Sequence, residues 1–189
     1  MHGTMGTTKE RSGHEHLVDQ CLAAFVAAGT LDLSLDQLAK TAGVSKRMLV
    51  HYFGGRANIE EQAVTKLEEK LRAQFAPRCF PPGVSPKTVL EALWEQTTAP
   101  GAKGVLRLVM DLSRRAWNGS ERARAFYEEQ RRLWVRLLLN YLPDEPAVEE
   151  VLQLFQGAVL AYLVTGDPDP GMRALTRIAQ RVIDAQGSP

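Results

Sequence analysis

Apolar residues recur along this chain at spacings of three and four, and the runs that carry the repeat are cut by glycine and proline. Leu17, Cys21, Ala24, Phe25 and Ala28 predict a helix over 13–28 that Gly29 ends. Leu35, Leu38, Ala39 and Ala42 predict a second one beginning at Leu35, where Ser34 and Gln37 supply the S-x-x-Q pattern that satisfies amides at a helix start. Gly43 stops it, Ser45 offers a new N-cap, and Leu49 and Phe53 give the short helix Lys46 to Phe53 an inward face. Ile59, Ala63, Leu67, Leu71 and Phe75 form a four-residue stripe through a longer helix over 56–75. Four prolines between 77 and 86 forbid its continuation, and further helices follow over 86–98, 104–117, 120–142, 147–165 and 171–185. No alternating strand pattern of useful length intervenes. The fold class is therefore all-α.

The same punctuation divides the chain. Residues 1–12 are polar and glycine-bearing, a loose arm by composition. Residues 13–76 form a first domain and 77–189 a second, helical one. Two short helices joined as closely as those around Gly43 must cross steeply, and this is a helix-turn-helix unit.

Net charge is only +1, so total charge does not point to nucleic acid. Residues 9–78 carry ten Lys and Arg against nine Asp and Glu, and 79–189 carry thirteen of each. Any positive field is thus local. From Gln37 to Ile59 there are four cations, Lys40, Lys46, Arg47 and Arg56, and no acid. Cations and a hydroxyl at a helix N-terminus, whose free amides already favour anions, make a surface for phosphates and base edges. An exposed polar face on an ordinary helical hairpin would look the same from the residues alone.

The run AGVSKRMLVHYFGGRANIEEQAV, with Ser34, Leu38 and Ala39 ahead of it, resembles the DNA-binding domain of the TetR family of transcriptional regulators. The family's approximate pattern, T-x-x-x-I-A-x-x-A-G-V-S-x-x-x-L-Y-x-Y-F-x-x-K, is met by Ala39, Ala42, Gly43, Val44, Ser45, Leu49, Tyr52 and Phe53. Ser34, Leu38 and Arg56 are conservative replacements, and the match covers about the first third of the chain. Val50 departs from it, standing where the family usually has a tyrosine that touches the phosphate backbone. Asp36 also sits where a negative charge does not help phosphate binding, although the helix dipole is reason enough for it. The resemblance implies DNA contacts from Ser34, Ser45, Lys46, Arg47, Met48, His51, Tyr52 and Arg56. It further implies a ligand-responsive regulator, most commonly a repressor, that holds a palindromic operator as a homodimer.

In the second domain, Trp94, Met110, Trp117, Phe126, Tyr127 and Trp134 are candidates for an apolar pocket, although the same residues at helical spacing also make simple core. The family's second domain binds an inducer, so the resemblance implies a small hydrophobic or amphipathic effector. The segment 104–117 is apolar on two sides and predicts a central helix, with Arg107, Asp111 and Arg114 as a solvated charged edge. Helices 147–165 and 171–185 carry more apolar surface than one inward face requires. Phe155, Val159, Tyr162, Leu163, Leu175, Ile178 and Val182 are the expected homodimer interface.

Other classes fare less well. All four histidines, His2, His14, His16 and His51, precede the proline-rich linker, and no Cys/His metal spacing is present, so neither an enzyme nor a metal or other cofactor is expected. Cys21 falls on an apolar helix face and Cys79 in the linker, which makes no disulfide framework. No signal sequence is visible and no apolar run approaches the ~18 to 20 residues that span a bilayer. The expected compartment is cytoplasmic, without a membrane partner. A helical adaptor meeting an acidic protein through the same cationic face is the alternative to double-stranded DNA as partner.

Overall fold

The computed structural model describes residues 8–75, 80–81 and 83–186, and every regular element among them is an α-helix. In order these are α1 (Thr8–Ala28), α2 (Leu35–Ala42), α3 (Lys46–Phe53), α4 (Arg56–Phe75), α5 (Pro86–Thr98), α6 (Ala102–Trp117), α7 (Glu121–Leu138), α8 (Glu145–Thr165) and α9 (Asp169–Gln186). The chain divides into two compact units between Leu71 and Arg72, inside α4. Cys79, Pro77 and the other linker residues up to Cys79, together with the first seven residues of the expected arm, lie outside the described residues.

In the first unit the apolar stripes read from the sequence are the buried ones. Leu17, Cys21 and Phe25 of α1, Leu38 of α2, Leu49 and Phe53 of α3, and Ile59 and Ala63 of α4 are all at most 3% exposed. Fully burying a Leu or Phe side chain contributes ~1.5 to 3 kcal/mol, so burial of this set draws the four helices together. Ser34 and Gln37 form a reciprocal cap: Gln37 N–H donates to the Ser34 hydroxyl at 3.2 Å and Ser34 N–H donates to the Gln37 side-chain carbonyl at 2.8 Å. Gly43 ends α2 at φ 71° and Gly54 ends α3 at φ 72°, in the left-handed region that side chains with a Cβ avoid. Asp19 on α1 meets Lys70 on α4 at 2.7 Å. This contact holds the Asp19 carboxyl below the usual carboxylate range; partial burial opposes it, and the charges of Lys70, Lys66 and His16 add to it.

The second unit is organised on α8. Its inward residues Val148, Val151, Leu152, Phe155 and Val159 join Val89, Leu90, Leu93 and Trp94 of α5 and Leu175, Ile178, Ala179 and Val182 of α9 in one core. Trp94 is the pivot. Its ring meets Phe155 edge-on at 5.5 Å and Tyr162 at 6.2 Å, and its indole N–H donates to the Pro168 carbonyl at 3.0 Å.

Several expectations are corrected here. α1 begins at Thr8 instead of 13, because Thr8 to Ser12 contain no breaker and polarity alone does not end a helix. α8 and α9 each begin two residues earlier than expected, since Pro146 and Pro170 sit in first turns, where a missing N–H costs nothing. α7 stops at Leu138, four residues short of the expected end. The Asn140 side chain donates to the Arg136 and Leu137 carbonyls at 2.9 and 3.1 Å and so competes with continuation.

α6 is not the central helix. Only Leu108, Asp111 and Leu112 are buried, and Trp117 at its end is 88% exposed. Asp111, expected at a solvated edge, is itself buried and is held by Arg114 at 2.7 Å and Arg115 at 3.3 Å. α8 is also long and apolar enough, by length and composition, to cross a membrane, contrary to the expectation that no apolar run approaches that length. Its five inward residues nevertheless belong to the core of this unit.

Candidate nucleic-acid interface

The candidate site is the outward side of α3. Ser45 sets where that helix starts: its hydroxyl accepts from Met48 N–H at 3.1 Å, leaving the amides of Lys46 and Arg47 at an exposed N-terminus. Leu49 and Phe53 are pinned inside, at 0% and 3% exposure. At about 100° per residue, pinning those two turns Arg47 and His51 to the middle of the opposite side. Met48 and Val50 then occupy its two shoulders, with Lys46 and Tyr52 at the flanks. All six of these residues are exposed.

The flanks are anchored and the middle is not. Lys46 Nζ lies 2.9 Å from Asp36 Oδ2, so the acid that seemed unhelpful on α2 braces the first residue of α3. Tyr52 packs against His14 of α1, ring centroids 6.3 Å apart, and His14 also meets Phe53 at 5.2 Å. His51 stands edge-on to Tyr52 at 5.3 Å. Among the described residues no ion pair engages Arg47 or Lys40. The cationic surface is accordingly narrower than the sequence implied, because folding returns acids to two of its four cations.

Arg56 is the second of these. Its guanidinium donates to the Leu31 carbonyl at 2.9 Å, meets Glu60 at 2.7 Å and lies 3.9 Å from Asp32. It fastens the start of α4 to the α1–α2 loop, so this expected DNA contact is an arginine already paired within its own unit. Ser34 likewise is committed to the cap of α2. Neither His14 nor the Asp36 brace was found from the sequence. Both join positions on different helices, and no helical spacing connects them.

The six aromatic and Met residues expected to wall a ligand pocket do not converge. Trp94, Met110 and Trp134 belong to the α8-centred core, where Trp134 meets Phe155 at 5.2 Å. Phe126 is buried on α7, while Tyr127 is 38% and Trp117 88% exposed. The open groove along α8 and α9, lined by Leu154, Ala174, Arg177, Ile178 and Arg181, contains none of the six. Among the described residues no group of three or more His, Cys, Asp or Glu side chains is placed to hold a metal ion.

The expected dimer residues are also redistributed. Phe155, Val159, Leu175, Ile178 and Val182 are buried within their own unit, and Tyr162 and Leu163 are partly buried against the same core. The exposed side of α8 is the neighbouring stripe Gln153, Gln156, Gly157, Leu160, Ala161 and Val164, with Leu160 56% and Val164 79% exposed.

No family model matches the chain. A 63-residue stretch is 30% identical to the HTH-type transcriptional regulator SrpR of Pseudomonas putida, covering 33% of this chain and 30% of that protein. The same identity over 63 residues relates it to TtgW, an uncharacterized HTH-type transcriptional regulator also of Pseudomonas putida, covering 33% and 47%. The match thus spans less than half the length of either relative.

Solved structures align along nearly the whole chain. A transcriptional regulator from Rhodococcus sp. Rha1 superposes with a TM-score of 0.68 at 19% identity, covering 91% of this chain and 96% of that one. A TetR-family transcriptional regulator from Streptomyces coelicolor does so with 0.64 at 17%, covering 95% and 90%. The multidrug binding protein EbrR, complexed with imidazole, gives 0.63 at 18%, covering 87% and 93%. The order of helices among the described residues, with its short capped pair near the N-terminus, is therefore the fold of the TetR-family transcriptional regulators.

Proposed function

We propose that this protein is a ligand-responsive, DNA-binding transcriptional regulator, a repressor that holds a palindromic operator as a homodimer in the cytoplasm. The observation that carries the reading is the outward side of α3, where an exposed helix N-terminus, Arg47 and His51 face solvent from a helix fixed by Leu49 and Phe53. Such a helix offers a guanidinium to guanine edges and amides to phosphate. Eight residues read only a few base pairs, so useful specificity requires two copies related by two-fold symmetry.

The exposed stripe of α8 supports pairing. Leu160 and Val164 supply apolar surface, and Gly157 and Ala161 lie beside them on the same side, where small residues admit a close helix. We assign the subunit interface to this stripe. The ligand response is supported by the likeness to EbrR alone, since the expected aromatic pocket is not assembled. An effector acts by preferring one arrangement of the paired DNA-binding units, and its influence on operator affinity cannot exceed that preference.

Selection of bound sites from random duplex tests binding, symmetry and half-site spacing together. Specific binding should weaken steeply with salt as counterions are released. Arg47→Ala should lose ~1 to 3 kcal/mol of discrimination at one base position per half-site. An equal loss on selected and random duplex would remove Arg47 from the base-reading role.

A further inference from the structure

The reading side of α3 is unusually apolar for a cationic helix. Of its six outward residues, Met48, Val50 and Tyr52 are 43%, 43% and 42% exposed, and Tyr52 alone among them has its ring placed against another side chain, His14. Met48 and Val50 stand on the two shoulders of the Arg47 and His51 ridge. Neither Met48 nor Val50 belongs to the buried side of this eight-residue helix, whose inward contacts are made by Leu49 and Phe53. A ridge of one guanidinium and one imidazole bordered by saturated carbon matches one feature of a DNA groove. The major groove alternates polar base edges with a single type of apolar group, the C5-methyl of thymine.

We infer that Met48 and Val50 read thymine methyl groups on either side of the base pair met by Arg47, so that each half-site is a guanine flanked by thymines at defined positions. This rests on the DNA-reading role proposed above. The occupant is argued from charge and carbon together: a guanidinium and two apolar side chains on one eight-residue helix answer the guanine edge and the thymine methyl of one major groove, whereas an acidic protein partner would use the same residues without any dependence on thymine. Val50 carries the sharper part of the inference. It replaces the tyrosine that touches the phosphate backbone in the family pattern; short and β-branched, it leaves that contact unmade and reaches a methyl only when the helix lies deep in the groove, whereas Met48 is flexible enough to follow.

The test takes the full-length protein and its best selected duplex, and replaces each thymine of the half-sites in turn by deoxyuridine, which deletes the methyl and nothing else. One or two positions per half-site should lose affinity about fourfold for each methyl removed, the worth of one methylene-sized group taken from water. Met48→Ala should abolish the effect at one position and Val50→Ala at another; both side chains are exposed, so both variants retain the fold. Uniform indifference to deoxyuridine with tight specific binding intact would overturn this inference and leave DNA reading standing. Failure to bind any duplex at low salt would overturn both.

Discussion

Gly171 is the position at which the packing of the second unit can be tested most sharply, because two known effects of replacing it by alanine have opposite signs. Glycine inside a helix is disfavoured by roughly 0.5 to 1 kcal/mol relative to alanine, so Gly171→Ala in open space would stabilise. Space is what α9 lacks here. A Cβ on Gly171 would fall against Cζ2 of Trp94 and within 2.7 Å of Cη2 and 2.9 Å of Cε2, where carbon atoms rest at about 3.5 to 4.0 Å.

The ring has nowhere to go. Trp94 is 1% exposed, hemmed by Phe155 and Tyr162, and tethered through its indole N–H to the Pro168 carbonyl. Overpacking of this kind costs ~1 to 3 kcal/mol, and loss of the tether adds about 1 kcal/mol more. Even after the helix-propensity gain, Gly171→Ala should destabilise by ~1 to 3 kcal/mol in urea unfolding. Gly13→Ala, inside α1 with nothing within 4 Å of the new carbon, should instead stabilise by roughly 0.5 to 1 kcal/mol. Trp94→Phe removes the colliding ring, so Gly171→Ala in that background should cost about 1 kcal/mol less, or better, read as a double-mutant coupling. A neutral or stabilising Gly171→Ala in the otherwise unchanged protein would refute the packing of α9 on Trp94.

Leu160→Glu should shift sedimentation from dimer to monomer and weaken operator binding with the helical circular dichroism unchanged; a dimer that survives it would move the interface off α8. Because the Asp19 carboxyl is held low by Lys70, its contribution to stability is complete above its unfolded value of about 4 and is lost as pH falls through the lower folded value. Asp19→Asn should therefore be less stable than the unchanged protein at neutral pH and indistinguishable from it in strong acid, as read from urea midpoints; an equal deficit at both ends would reject the Lys70 contact. Burial pushes the Cys21 thiol up to about 11, so in a Cys79→Ser background a maleimide should label the protein only in denaturant, and rapid native labelling would contradict a closed first core.

Periodicity and punctuation alone located the nine helices found among the described residues, because an apolar repeat of three or four and a stop at glycine or proline are properties of neighbouring residues. The helix-turn-helix pair was legible to its caps: Ser34, Gln37, Gly43 and Ser45 act within a few positions of themselves, and their roles survive any tertiary arrangement. The outward placement of Arg47 and His51 was legible for the same reason, once Leu49 and Phe53 were assigned inward.

What the sequence could not supply was which charges and which apolar faces meet across distance. Asp36 beside Lys46 and Glu60 with Asp32 beside Arg56 turned an apparently acid-free stretch into a surface centred on Arg47. Surplus apolar residues on α8 and α9 were visible from composition. Only packing decided that Phe155, Val159, Leu175 and Ile178 fill the unit's own core while Leu160 and Val164 remain outside. The six candidate pocket residues failed for the same cause, since helical spacing fixes the side of a helix on which a residue lies and leaves open what that side will touch. Local chemistry determined the elements and the reading helix; the partners of each face were settled by long-range burial, which no short window of sequence contains.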